Sequence, residues 1–248
     1  MDEFKMLDTF RQALGQMRQG DFFQGAPGNP FRMTESPVTE RISRAFETAL
    51  RLQERPADIA LHYDYQKNAP EFQNALGEDW PLVAERYIDL FANGHGSVRP
   101  DLCLHNPLNV TNNRLAIEVK CGSASGFKIY HDLRKLRLYT DPDGLRFDTA
   151  LFLHIRGAAQ GPIETLRRWA GSNPRRNINA QEFAAQLARA DNLATPAPVQ
   201  GAHYYIWSIP ELMFNDEGTL DLACIQEEEI RHDYAFGDVF LNQDYPLQ

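Results

Sequence analysis

The chain has 248 residues, 43% of them hydrophobic, which is enough for one sizeable domain with its own core. Its formal net charge of -9 argues against a protein that wraps nucleic acid through bulk positive charge, although a local basic groove can coexist with an acidic remainder. No apolar run approaches the roughly 18 residues of a membrane-spanning helix, and the start MDEFKMLDTFRQAL lacks the features of a signal peptide. We therefore expect a single domain over residues 1–248, located in the cytoplasm and without membrane contact.

The first part of the chain predicts two helices and a strand. Apolar residues recur every three or four positions from residue 2 to about 18, which is the spacing of one helical face. In the second helix Ser36 is expected as N-cap and Pro37 as the first helical residue, and Pro56 ends the element. Alternating apolar and polar residues over 58–65 predict a strand, and a polar region over 66–96 contains a predicted helix near 81–91.

The middle of the chain predicts a hairpin followed by a helix and a buried strand. Strands are expected over 98–105 and 114–120, because NPLNVTNN between them has the Asn and Pro content of a hairpin loop. A basic helix over 127–139 follows, and the apolar run over 149–155 is typical of a buried strand. The remaining elements are predicted helices near 163–170 and 180–190, a linker LATPAPVQG, and strands near 203–209 and 220–225.

Three charged residues lie in and beside the apolar strands of this hairpin. Glu118 and Lys120 are two positions apart and therefore point to the same face, while Asp101 lies on the neighbouring strand. Two carboxylates held in this way suit Mg²⁺ or Mn²⁺, and a lysine beside them can orient or deprotonate a water molecule aimed at phosphorus. This is the chemistry of phosphodiester hydrolysis.

The pattern Pro100-Asp101, then sixteen residues, then Glu118-Val119-Lys120 resembles the PD-(D/E)xK nuclease superfamily, which includes many restriction endonucleases and repair nucleases. The resemblance covers about residues 34–156. It implies an α/β fold with a restriction endonuclease-like core, in which a mixed central β-sheet is flanked by helices in the order α-β-β-β-α-β. The N-terminal helix and a C-terminal α/β extension over 157–248 would be additions to that core.

The resemblance also implies roles for individual residues. Asp101, Glu118 and the carbonyl oxygen of Val119 would hold Mg²⁺ or Mn²⁺, and Lys120 would serve the attacking water. The helix before the first strand often brings a further glutamate to the metal in this superfamily, and Glu35 and Glu40 are the candidates. Relative to Ile42, Glu35 falls about 20° away on the apolar face and Glu40 about 160° away, so Glu35 is favoured.

Contacts to a nucleic-acid backbone are expected from the helix after the hairpin. Arg134 and Lys135 lie on that helix, and Arg99 directly precedes Pro100. Basic side chains at such positions hold phosphates in many nucleases of this type. An ordinary solvated helix face is the competing interpretation of the same residues.

Two classes of function fit these observations. The first is a metal-dependent nuclease acting on DNA, most simply an endonuclease of a defence or repair system, and a homodimer would supply two active sites for the two strands. The alternative is a catalytically inactive protein of nuclease fold that docks a protein partner as a scaffold, which the acidic net charge favours.

Overall fold

The structure is a computed structural model. It describes residues 3–24, 31–32, 34–53, 55, 57–63, 67–68, 77, 81, 90, 97–107, 112–142, 144–156, 161–172, 203–210 and 215–231.

Within the described residues, ten strands form one main sheet and two small pairs. In chain order they are β1 (Phe23–Gln24), β2 (Phe31–Arg32), β3 (Ala60–Tyr63), β4 (Lys67–Asn68), β5 (Ser97–Val98), β6 (Leu102–His105), β7 (Leu115–Cys121), β8 (Thr149–Arg156), β9 (His203–Pro210) and β10 (Gln226–Arg231). The main sheet has the order β10-β9-β8-β7-β6-β3, while β1 pairs with β2 and β4 with β5. The neighbours β7, β8 and β9 are parallel, and the other pairs in the sheet are antiparallel.

Helices cover both faces of the main sheet. They are α1 (Glu3–Gly15), α2 (Gln19–Phe22), α3 (Glu35–Arg51), α4 (Gly126–Thr140) and α5 (Pro162–Ser172). Side chains alternate along β7: Ile117 and Val119 join the apolar cluster of α1 and α3, and Ala116 joins that of α4 and α5. The predicted mixed α/β architecture, a mixed sheet flanked by helices, is therefore confirmed.

Aromatic side chains hold α1 and α3 on the sheet. The ring of Phe10 lies 5.0 Å from that of Phe46 and 5.5 Å from that of Trp207, and all three are buried. Burial of each such side chain contributes about 1.5–3 kcal/mol. This packing fixes α3 against the sheet, and with it the position at which α3 begins.

The predicted hairpin is confirmed, but its first strand is shorter than expected. Leu102 pairs with Ile117 and Leu104 with Leu115 in antiparallel register. Asp101 lies in a bend directly before β6 and not within a strand. The reason is local, because Pro100 has no N–H group to donate to a strand ladder.

Two other boundary predictions are wrong. Thr34, and not Ser36, is the N-cap of α3, since its backbone is extended and the helix begins at Glu35. Pro37 is the third helical residue and not, as predicted, the first, but the helix tolerates it because the N–H groups of the first helical turn have no partner within the helix. The strand predicted near 220–225 is a 3-10 turn at Leu222–Cys224, capped by the Asp221 carboxylate, and β10 begins only at Gln226.

Several predicted elements lie outside the described residues. They are the helix near 180–190, the linker LATPAPVQG and most of the helix near 81–91. The described strands beyond residue 157 continue the main sheet, since β9 pairs with β8 and β10 pairs with β9. Among the helices in the described part of the chain, none has the length and apolar content to cross a membrane.

Candidate active site

The carboxylate of Asp101 is tied to the backbone of β7. Its Oδ2 atom accepts a hydrogen bond of 2.7 Å from the N–H group of Val119. Extending the hairpin register by one residue places Asp101 opposite Glu118, which is the neighbour of Val119. The structure thus brings Asp101 to the Glu118-Val119-Lys120 segment, as the arrangement of the two strands predicts.

Glu118 is fully buried, and both of its carboxylate oxygens have partners on α4. The Nζ atom of Lys135 lies 2.5 Å from Oε2, and the hydroxyl of Tyr139 donates a hydrogen bond of 2.9 Å to Oε1. A buried carboxylate without partners would be strongly unfavourable. The two α4 side chains therefore fix the orientation of Glu118.

Lys120 lies among acidic groups from two helices. Its Nζ atom is 3.1 Å from Oε1 of Glu35 and 3.3 Å from Oδ2 of Asp132, and it donates to the carbonyl oxygen of Val119 at 3.2 Å. The side chain is 16% exposed. The ammonium group is thus largely buried among these oxygen atoms.

Asp132 is a site residue that the sequence reasoning missed. It is buried, and its Oδ1 atom lies 3.2 Å from Nζ of Lys135 while Oδ2 faces Lys120. It therefore bridges the two lysines of the site. A signal was present in the sequence. Asp132 precedes Lys135 by three residues and Tyr139 by seven, a spacing that places the three side chains on the same side of a helix, beside its apolar stripe.

Of the two candidate glutamates on α3, only Glu35 reaches the site. Its carboxylate is the partner of Lys120 described above, and its side chain is 40% exposed. Glu40 instead forms an ion pair with Arg44 on the exposed side of the helix, at 2.5 Å. The arrangement follows the helical geometry, which places the two glutamates on opposite sides of α3.

The three residues expected to contact phosphate have different environments. Arg99 is exposed two positions before Asp101, whereas Arg134 is only 2% exposed. Lys135 is directed to Glu118 and Asp132. A phosphate contact by Arg134 or Lys135 stays a prediction, and it would require each side chain to leave its present environment.

Burial and neighbouring charges shift the pKa values of the site carboxylates. Burial raises the pKa of Asp101 to about 6 and that of Glu118 to about 8, against the opposing effect of the nearby ammonium groups. For Asp132 burial acts in the same direction, but Lys135 and the other cationic and hydrogen-bonding neighbours outweigh it and lower the pKa to about 2. The site thus contains carboxyl groups with very different proton affinities.

The two lysines remain charged in this environment. Burial alone would lower the pKa of each ammonium group. The surrounding carboxylates, with Asp132 first for Lys120 and Glu118 first for Lys135, nevertheless raise both pKa values above the usual range. Each lysine is therefore an ammonium donor at neutral pH.

The donor chemistry of the site fits a hard divalent cation. Asp101, Glu118 and the Val119 carbonyl supply only oxygen atoms, which Mg²⁺ and Mn²⁺ prefer. Four carboxylates face two ammonium groups, so the fully ionised site has an excess of negative charge. Within the described residues no group of three or more His, Cys, Asp or Glu side chains is arranged to hold a metal ion. In this geometry Lys135 lies against Glu118, where a cation would bind.

Comparison of the chain with protein-family models, with curated proteins and with solved structures gives no match. The functional argument therefore depends on the site itself.

Proposed function

We propose that the chain is a metal-dependent phosphodiester hydrolase acting on nucleic acid, most simply a DNA endonuclease with a restriction endonuclease-like core over residues 34–156. The observation that carries the proposal is the hydrogen bond from the Val119 N–H group to Asp101. It brings an acid directly before β6 to the acid and the lysine that flank Val119 on β7. Two carboxylates and an ammonium group at one end of a hairpin are the groups that phosphodiester hydrolysis needs.

Asp101, Glu118 and the Val119 carbonyl are the groups that would hold Mg²⁺ or Mn²⁺. When bound, such an ion lowers the pKa of a coordinated water and offsets negative charge on the phosphate. The protein's contribution is to fix these oxygens: the Val119 N–H group orients Asp101, and the Tyr139 hydroxyl orients Glu118.

Lys120 acts as a hydrogen-bond donor and not as a base in this proposal. Its pKa is raised by the carboxylates around it, so the amine carries its proton at neutral pH. An ammonium group in this position orients the attacking water and stabilises the charge that develops on the phosphate oxygens. Glu35, which is more exposed than the other acids around Lys120, is the candidate acceptor for the proton of that water.

Arg99 is the proposed contact to the nucleic-acid backbone. It is exposed and lies two residues before Asp101, so its guanidinium can meet a phosphate that enters the site. A homodimer would place two such sites on a duplex, one for each strand. Binding through a few phosphate contacts would weaken as the salt concentration rises.

The test is incubation of the purified full chain with supercoiled plasmid in Mg²⁺, in Mn²⁺ and in EDTA. Glu118→Gln and Lys120→Met are the variants that exclude a contaminating nuclease, because both alter the site by a few atoms. Metal-dependent nicking that is lost in both variants would support the proposal. Nicking by the variants at the parent rate, or no nicking by the parent under any condition, would contradict it.

One observation favours a second candidate function, a scaffold protein of nuclease fold without catalytic activity. The Lys135 ammonium group is in contact with Glu118 and supplies a positive charge where a metal ion would bind. A scaffold of this kind would gain no stability from divalent cations. An intact metal site would gain about 2.7 kcal/mol at a metal concentration of 100 times the Kd, which a thermal melt detects.

A further inference from the structure

Lys135 occupies a specific place in the site. Its Nζ atom contacts Oε2 of Glu118 at 2.5 Å, although Glu118 is fully buried and lies on β7. The other oxygen of Glu118 is held by Tyr139. The ammonium group therefore neutralises the carboxylate that, in the proposed function, is a metal ligand.

A divalent cation would compete with this ammonium group for the same oxygen. Lys135 supplies one positive charge, whereas Mg²⁺ or Mn²⁺ supplies two in a smaller volume. Asp101 lies across the hairpin as a further carboxylate for such an ion. A metal ion and the ammonium group cannot both approach Oε2, since like charges at this distance repel each other.

Asp132 provides a place for the displaced ammonium group. Its Oδ1 atom is already 3.2 Å from Nζ of Lys135, one helical turn away on α4. The lysine side chain is 16% exposed and has a flexible four-carbon stem. Lys135 can therefore leave Glu118 and keep a carboxylate partner, while Tyr139 still orients Glu118.

We propose that Lys135 is an exchangeable counter-cation, which holds Glu118 in the metal-free protein and moves away from it, toward Asp132 and solvent, when a divalent cation binds. The inference rests on the proposed metal site. Lys135 is a positioning residue in this scheme, because it acts through Glu118 and Asp132.

The first test is calorimetric titration of the full chain with Mn²⁺ and with Mg²⁺. Lys135→Met removes the competing charge, and we expect its metal affinity to rise by about tenfold or more. Lys128→Met is the matched control, since it makes the same change at an exposed position of the same helix. Its affinity should equal that of the parent, and equal or weaker binding by Lys135→Met would overturn the exchange.

A measurement on the parent protein does not depend on how the variants fold. Reductive methylation followed by mass spectrometry reports the accessibility of each lysine, and labelling of Lys135 should increase at least about twofold when metal is added. Unchanged or reduced labelling of Lys135 under saturating metal would also overturn the exchange.

The outcomes separate this inference from the proposed function. If the parent binds metal and the affinity of Lys135→Met is no higher, the nuclease proposal stays intact and the exchange is rejected. If Lys135→Met binds the metal and the parent does not, Lys135 blocks the metal site without being displaced. This outcome rejects the exchange and favours the scaffold. Binding by neither protein would reject both proposals.

Discussion

The Nζ atom of Lys120 lies 3.1 Å from Oε1 of Glu35, and this ion pair joins β7 to the first residue of α3, 85 positions earlier in the chain. Lys120 also contacts Asp132 of α4. Its ammonium group is thus positioned by helices from the two opposite faces of the sheet. The contact links the position of α3 on the sheet to the chemistry at the end of β7.

Replacing Glu35 by Gln should reduce cleavage about tenfold or more, because it removes a charged partner of Lys120 and the proposed proton acceptor. The amide keeps the size of the side chain and its helical position. Glu40→Gln is the matched control on the same helix, and it should cleave like the parent because Glu40 pairs with Arg44. Initial rates of plasmid nicking measure both variants. If both variants lost the same fraction of the cleavage rate, the loss would come from a general change in α3 and not from the contact of Glu35 with Lys120.

Two substitutions of Asp101 should separate its charge from its hydrogen bond. Asp101→Asn keeps an oxygen that can accept from the Val119 N–H group, so its melting temperature should stay close to that of the parent. Asp101→Ala leaves this buried N–H group without its acceptor, which costs about 1–3 kcal/mol. A chain of this size then melts roughly 2–12 °C lower. Both variants should lose at least about 100-fold in cleavage rate, and an active Asp101→Asn would contradict the proposed role.

The catalytic candidates on the hairpin could be predicted from sequence because their placement is local. The period of two along a strand puts Glu118 and Lys120 on one face, and antiparallel pairing brings Asp101 beside them. The choice of Glu35 over Glu40 followed from the geometry of one helix. In each case a single element or a pair of neighbouring strands determined the position.

The partners on α4 could not be predicted in the same way. Whether Asp132, Lys135 and Tyr139 face the solvent or Glu118 depends on how α4 rotates and packs on β7, and that packing is tertiary. The sequence alone therefore does not predict that Lys135 contacts Glu118 and Asp132. The boundary errors arose at a helix N-terminus and at a turn: Thr34 caps α3 through its extended backbone without a side-chain hydrogen bond, and the Asp221 carboxylate caps the turn at Leu222–Cys224.

Tyr139→Phe should orient Glu118 less firmly and leave the core intact. The variant removes the hydroxyl that donates to Oε1 of Glu118 but keeps the ring, which packs edge to face against Phe147 at 6.0 Å between centroids. Loss of a buried hydrogen bond costs about 0.5–1.5 kcal/mol when the acceptor is neutral and about 1.5–3 kcal/mol when it is charged, so the effect should grow above about pH 8, where Glu118 is ionised. Urea unfolding should show this decrease, together with a lower cleavage rate. Unchanged stability and unchanged cleavage would show that Lys135 alone fixes the carboxylate.

The stability of the metal-free protein should fall as the pH rises from about 4 to about 8. Burial raises the pKa of Asp101 from 3.8 to about 6 and that of Glu118 from 4.5 to about 8. The folded protein thus binds these protons more tightly than the unfolded chain does. The stabilisation is complete below the ordinary pKa values and is lost as the pH passes through the folded values.

The other site groups do not reverse this trend within the same range. The pKa of Asp132 is lowered to about 2, so its contribution is present above 3.8 and is lost only in more acidic solution. Lys120 and Lys135 keep their protons throughout, because their pKa values are raised above the usual range. The decline should therefore come from Asp101 and Glu118 together up to about pH 6, and from Glu118 between about pH 6 and pH 8.

Urea unfolding in EDTA at pH 5, 6.5 and 8 measures the effect, with Glu118→Gln as the comparison. The amide does not titrate, so the variant should lose less stability than the parent over the whole interval from about pH 5 to pH 8, in which the folded Glu118 carboxyl keeps a proton that the unfolded chain has released. Asp101 is present in both proteins, so the decline that it causes below about pH 6 should be common to the two curves. Parallel curves over the whole range would mean that Glu118 is already ionised at pH 6, held as a carboxylate by the Lys135 ammonium group.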